Sequence, residues 1–321
     1  MKCGLYIFFM LYFSHSSKEV VFVQKKNRRR FGDRRDGWRV TNVDSFFFLI
    51  PQVMRTRIDS QVHFEDEIPL EPIEKFIRDH KEEMPTLSTM HVVAAAFVRM
   101  LSVKPCTNRF VVHNKIYAHK DICLSIAVKR TLSEDGEETT IKPKFDPMET
   151  LRDVVRKIDQ EVVNAEADQS QSNTDTAAKV LSKMPAWLLR IVIRFLFFLD
   201  NHGWLPDFLV DLSPWHTSAW LTNVGSLGIA PVYHHLYEFG TASVFAAMGK
   251  KRLVPGVDYD GNVQPKRKLG LKFVVDERIC DGYYYAMALR SFAKLMNKPE
   301  LLLEPPKERK YDPGVPKDRF M

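Results

Sequence analysis

The chain has 321 residues and a formal net charge of +7. That charge is uneven: residues 1–40 hold ten Lys or Arg against three acids, while the other 281 residues carry 37 of each sign. The body is therefore excluded as a basic nucleic-acid binder, and any electrostatic partner would meet the N-terminal arm.

Residues 1–24 read as an apolar extension. Its run from Leu5 to Phe13 behind Lys2 admits a short secretory signal, a membrane-touching start or an upstream mis-assigned start codon. No periodicity ties the run to the residues after it, which favours the mis-assigned start; whether residues 1–17 are native stays open. Residues 25–45 form a basic arm, KKNRRRFGDRRDGWR over 25–39. It reads either as a phosphate or nucleic-acid contact or, in preference, as a solvated arm across the body or a neighbouring subunit. Beyond Phe31 and Trp38 it has no interleaved aromatics for base stacking.

In the body, VHFEDEI over 62–68 reads as a strand, and Leu70, Ile73, Phe76 and Ile77 as one face of a helix ending before Pro85. Ser88 is the N-cap of a second helix through Val103, apolar nearly all round and so expected to be buried. Arg109–Ala118 and Asp121–Arg130 read as a hairpin, with Glu134–Glu137 as a turn. Met148 to Val162 gives an amphipathic helix with Asp153 and Lys157 as an i,i+4 pair. A polar loop at Gln169–Asn173 precedes Pro185, which opens WLLRIVIRFLFFLD. At that length, and broken by Arg190 and Arg194, this reads as a core or subunit-interface helix; a membrane-surface role is the alternative.

Ala219–Asn223 and Thr241–Met248 read as short buried strands around a Gly-rich loop. Asp260–Gly261 turns into a strand from Leu269, and Tyr285, Leu289, Phe292 and Met296 mark a last helix stopped by Asn297 and Pro299. The tail, 304–321, is charged, Pro-rich and expected to be extended. Interleaved helices and strands point to one α/β domain over 46–303. Within it, Leu269, Leu271, Phe273 and Val275 alternate onto one side of a strand. The same parity carries Glu277 onto that apolar side, where a carboxylate would not serve packing.

The four cysteines form no CxxC and no zinc-spaced cluster with His, and read as reduced, mostly buried thiols of a cytoplasmic protein. No window reaches the ~18–20 apolar residues of a membrane span. GxGxxG, Walker, HExxH and GxSxG motifs are all missing.

Two segments together are specific: Leu221-Thr222-Asn223-Val224-Gly225-Ser226-Leu227-Gly228, and, about fifty residues on, Asp276-Glu277-Arg278-Ile279-Cys280-Asp281-Gly282. They resemble the [ST]-N-x-G-x-x-G and H-R-x-x-D-G motifs of dihydrolipoamide acyltransferase catalytic domains of 2-oxo acid dehydrogenase complexes, within the chloramphenicol acetyltransferase-like superfamily. A stand-alone bacterial branch with FGDRRD near the start and VDERxxDGYYY near the end is closer still. The resemblance implies a two-layer α/β sandwich with a mixed sheet, and a homotrimer with active sites between subunits. It implies coenzyme A or acyl-coenzyme A as substrate, no covalently bound cofactor, and small-molecule acyl donor and acceptor; no nucleic-acid partner is expected.

Carried over by residue, Thr222 is the oxyanion donor, Asp281 the anchor of the loop and Gly282 its tight turn. Asn223, Gly225, His234 and His235 line the substrate and coenzyme channel, the histidines on a strand beside it. The departure is Glu277, which stands where the family has its histidine general base. Two readings stay open: an acyltransferase with Glu277 as base, or a catalytically silent trimeric homologue that binds a ligand or serves as a scaffold. His234 or His235 as a replacement imidazole is a lesser alternative, and Tyr283, Tyr284 and Tyr285 are expected to start the last helix and line an interface.

Overall fold

The computed structural model describes residues 32–129, 138–167, 183–257 and 260–319. Ten strands lie in them: β1 (Gly37–Arg39), β2 (Gln61–Pro69), β3 (Arg109–Val112), β4 (Lys115–His119), β5 (Ile122–Lys129), β6 (Glu138–Ile141), β7 (Lys144–Phe145), β8 (Ala219–Asn223), β9 (Val244–Val257) and β10 (Val263–Asp276). The α-helices are α1 (Ser45–Val53), α2 (Glu71–Asp79), α3 (Thr89–Val103), α4 (Leu151–Ala167), α5 (Ala186–Asn201), α6 (Asp207–Leu212) and α7 (Gly282–Asn297). The main sheet runs β2-β10-β9-β8-β5-β6, with β7 also on β5, and a small sheet runs β1-β4-β3. The β5–β8 and β8–β9 pairings are parallel and the others antiparallel, so the sheet is mixed, as expected.

The period-2 pattern of β10 sets the layers. Leu269, Leu271, Phe273 and Val275 face the helices, where Phe97 of α3 stacks on Phe273 and Phe292 of α7 meets both rings. Truncating Phe273 to Ala would cost about 3–5 kcal/mol, since a buried ring leaves a cavity that neighbours fill only in part. Ser88 caps α3 through His91 N at 3.4 Å, and the helix is buried along nearly its whole length, as its composition requires. The other sheet face carries a smaller cluster of Trp220, Phe245 and Val274.

Several local expectations give way. Arg109–His119 is itself a hairpin, turned at His113 and Asn114 with positive φ, and Ile122–Lys129 joins the main sheet instead. Asp153 takes Arg156 at 3.1 Å and caps Thr150, while Lys157 takes Glu149 at 2.5 Å, because the turn before α4 offers nearer partners than the i,i+4 spacing. The turn at 134–137 and the loop at 169–173 lie outside the described residues.

Residues 25–31 of the arm lie outside the described residues; the rest of the arm lies across the body, more deeply buried than a solvated arm, and the tail is likewise engaged. Asp33 and Arg34 are buried, Arg34 reaching Asp36 and Asp200. In the tail, Asp312 and Val315 are buried, and the Gly314 carbonyl accepts from Thr41 N and Asn42 N. Helix α5 is not a core helix of the single chain: only Asp200 is buried, and Trp187, Ile191, Phe195 and Phe198 are exposed. Helix α1, capped by Asp44 on Phe46 N at 2.8 Å, has no counterpart in the sequence reading.

Candidate active site

The loop after β10 is built around a buried carboxylate one residue before the expected one. Asp276 ends the strand and is fully buried. Arg278 folds back onto it, Nε to Oδ1 at 2.9 Å and Nη2 to Oδ2 at 2.7 Å, and its own N–H donates to Oδ1 at 3.0 Å. Tyr285 Oη donates to the Asp276 carbonyl at 2.7 Å, tying α7 to the strand end. Arg57 approaches from the other side, its Nε 3.9 Å from Asp276 Oδ2, while its terminal nitrogens donate to the carbonyls of Tyr237 at 2.6 Å and Gly240 at 2.7 Å. Burial pulls the Arg57 guanidinium below its ordinary value, against the pull of Asp276.

Glu277 is exposed, contrary to the strand parity. The alternation stops at Asp276, and the chain turns there with Glu277 N donating to Ser60 O at 2.9 Å, so its side chain leaves the apolar face. Asp281 fixes the loop through the helix: its carboxylate accepts from Tyr284 N at 2.6 Å as the N-cap of α7, and among the described residues it has no ion pair. Gly282 opens that helix without a positive φ, and a Cβ there would meet nothing within 4 Å. The glycine is therefore not a tight turn, and leaves open space over the helix start. Beside it a cavity of about 170 Å³ is lined by Asp44, Phe47, Cys106, Cys280, Asp281 and Tyr284 among others. Burial raises both thiols, Cys280 well above its ordinary range, so neither is a nucleophile at neutral pH.

Thr222 sits near the end of β8 with its side chain on the outer sheet face, on the parity of Trp220. It is half-buried, and its hydroxyl has no hydrogen-bond partner among the described residues. Asn223, also half-buried, accepts Ser226 Oγ on its carbonyl at 2.7 Å. The motif glycines have separate reasons. A Cβ on Gly225 would stand 2.3 Å from Gly249 O, so only glycine lets this turn lie on β9, whereas Gly228 takes a left-handed φ of 76°. Thr222 lies level with Ala247 and, through it, Lys272. Glu277 is five residues further along, about 16 Å of strand. One chain does not bring the two together.

Residues 230–237 are not a strand; the segment crosses the outer face as extended coil. His234 stacks on Phe245, ring centroids 4.1 Å apart, and its Nδ1 donates to His235 O at 2.8 Å. His235 is exposed beside Tyr237. A cleft of about 360 Å³ opens where Ala230 and Pro231 face Gly270 and Lys272, with Glu65, Glu67 and Arg252 on its rim. Tyr283 is exposed and Tyr285 buried at the head of α7, while Tyr284 Oη accepts from Cys106 N at 3.3 Å.

The sequence reading missed a second buried polar cluster. Asp200 accepts from Arg34 Nη2 at 2.5 Å and lies 3.2 Å from His216 Nε2, whose Nδ1 meets Ser213 Oγ at 2.7 Å. The signal was FGDRRD itself, in which two arginines flanked by two aspartates mark internal pairing better than a solvated arm.

No protein-family model and no curated protein matches the sequence. Solved structures do. A probable dihydrolipoamide acetyltransferase from Listeria monocytogenes 4b F2365 is similar at 14% identity over 80% of this chain and 93% of that one, with a TM-score of 0.51. A truncated catalytic core of the 2-oxoacid dehydrogenase multienzyme complex from Thermoplasma acidophilum is similar at 14% identity over 81% and 98%, with a TM-score of 0.49. At such identity the likeness concerns the fold. With its mixed sheet and the helices of its main core on one face, the chain has an α/β fold similar to that of the probable dihydrolipoamide acetyltransferase.

Proposed function

We propose that the protein is a coenzyme A-dependent acyltransferase, active as a homotrimer whose sites form where the Thr222 end of one copy meets the Glu277 loop of the next. The observation that carries this reading is the unpartnered, half-buried Thr222 hydroxyl on the outer sheet face. In the reaction, Glu277 takes the proton of a thiol, hydroxyl or amine as it attacks a thioester carbonyl. Thr222 Oγ1 donates to the resulting oxyanion. Collapse of the tetrahedral species breaks the carbon–sulfur bond, and the departing thiolate recovers the proton from the Glu277 carboxyl.

Glu277 stands exposed in the single chain, and cover from a second copy would exclude water from it, as general-base chemistry on a thioester requires. The rigid Asp276–Arg278 pair and the Asp281 cap would hold Glu277 at a fixed height for that contact.

The test is coenzyme A release by the purified protein over a panel of acyl-coenzyme A esters and acceptors, together with its mass in solution. Glu277→Gln should abolish turnover and Glu277→His should retain it. No release, and no stabilisation by any ester, would leave the silent trimeric homologue as the reading; the exposure of Glu277 is the observation in its favour.

A further inference from the structure

Helix α5 has two apolar faces, and the fold uses only one. Leu188, Leu189, Val192, Leu196 and Leu199 are half-buried, Phe197 packs on Phe239, and Asp200 is buried. On the far side Trp187, Ile191, Phe195 and Phe198 recur four, four and three residues apart and so form one stripe. Trp187 is 65% exposed and Phe195 57%. A contiguous, half to two-thirds exposed apolar stripe of this kind marks an interaction surface.

Charge decides which partner. Arg190 and Arg194 run beside the stripe, both exposed, and among the described residues neither has a carboxylate partner. Of the nearby acids, Asp200 is taken by Arg34 and His216, Asp207 by Arg35 at 2.8 Å and Asp211 by Lys144 at 2.6 Å, while Glu238 lies with Phe197 and Asp200 on another side of the helix and accepts from Ile58 N at 3.2 Å. Among the described residues, the charges beside the stripe are thus the two arginines. Aromatics continue it past the helix end, where Trp204 packs on Phe198 and His202 and is itself 57% exposed. Helix α1 adds exposed Phe46, Phe48 and Leu49 near the same edge. Its Gln52 bonds Asn114 O at 3.1 Å, and the adjoining His113 ring lies 5.9 Å from His202.

We propose that α5 is a docking helix for an anionic membrane surface. Its Trp and Phe side chains would enter the headgroup–acyl boundary, and its two guanidiniums would bind lipid phosphates. A two-fold contact with a second copy would set Arg190 and Arg194 against the same stripe and bury their charge unpaired, and the heterologous trimer contact proposed above joins the Thr222 end to the Glu277 loop and does not call on this helix. No helix of the described residues is long and apolar enough to cross a bilayer, so the attachment is peripheral. This role does not depend on the acyl-transfer reading.

The test is co-sedimentation of the full chain with vesicles of phosphatidylglycerol and phosphatidylcholine, against phosphatidylcholine alone. Binding should need the anionic lipid, weaken with salt, and fall at least about tenfold in Ile191→Glu/Phe195→Glu and in Arg190→Glu/Arg194→Glu. Melting temperature and mass in solution should stay those of the wild type. Brominated lipid should quench the wild type more than Trp187→Phe. Failure of the wild type to bind anionic vesicles overturns the proposal. So does undiminished binding by both double variants, which would assign attachment to residues outside the helix. A fall in oligomeric mass in either variant assigns the stripe to a second copy, and also overturns it.

Discussion

Arg109 and Asp312 form a buried two-pronged ion pair, Nε to Oδ2 at 2.5 Å and Nη2 to Oδ1 at 2.6 Å, across most of the chain. The third arm of the guanidinium, Nη1, donates to the carbonyl of Ile279 at 3.1 Å, so the C-terminal tail braces the loop that carries Glu277 and Asp281. Asp312→Ala leaves a buried arginine uncompensated and should cost about 3–5 kcal/mol in denaturant unfolding. Adding Arg109→Met should recover much of that. Equal losses in the single and double variants would show that the pair is not what holds the tail.

The glycines separate by cause. Gly225→Ala forces a methyl group against the Gly249 carbonyl and should cost about 1–3 kcal/mol. Gly282→Ala meets open space at an ordinary helical φ and should leave the midpoint unchanged or raise stability by about 0.4–1 kcal/mol. A Gly282→Ala variant as stable as the wild type but slowed in acyl transfer would mark the helix start as a surface that a substrate or second copy approaches.

Thr222→Val removes a hydroxyl with no partner among the described residues, so unfolding free energy should change by less than about 1 kcal/mol. If the hydroxyl faces the oxyanion, turnover should fall about 10²–10³-fold with little change in KM. A stable variant with full turnover would remove Thr222 from the site.

Stability should fall in two stages on acidification. Burial draws His119 down to about 4, against the Asp36 charge and the Thr241 carbonyl. Between about 6.5 and 4 the unfolded chain binds a proton that the folded chain refuses, so stability declines as pH falls through that window. Discounted for the partial exposure of the residue, the loss is on the order of 2 kcal/mol. Below about 4 a second loss begins. Burial pushes Asp200 up, but the His216 hydrogen bond and the Arg34 and His216 charges outweigh it and hold the carboxyl well below the usual range. That stability is present above the unfolded value and is lost as pH drops through the lower folded one. His119→Gln should flatten the first stage and Asp200→Asn the second, read from urea midpoints at each pH. Unaltered profiles would show that other groups govern acid unfolding.

Strands and helices with clean periodicity were legible in the sequence: β2, the inner face of β10, the Ser88-capped α3 and the last helix. The two motifs, read by resemblance, were enough for the fold. Parity misled at Glu277, since alternation cannot show where a strand stops, and the residue that ends β10 is Asp276. Pairings such as Arg34 with Asp200, or Arg57 with the carbonyls of Tyr237 and Gly240, join distant segments and leave no local spacing to detect. Whether α5 covers a core or faces outward was equally hidden, because a helix apolar on both sides has the same composition either way.

The fastening of α5 is lopsided. Its carboxyl end is locked to the body by Asp200, held between Arg34 and His216, whereas its amino end begins at Pro185 with no side-chain cap and, among the described residues, no ion pair. Such an element is a cantilever. A load on Trp187 acts with the full length of the helix as its arm, and the torque arrives at the anchorage Asp200 shares with Arg34, His216 and, through His216, the backbone leading into the Thr222 strand.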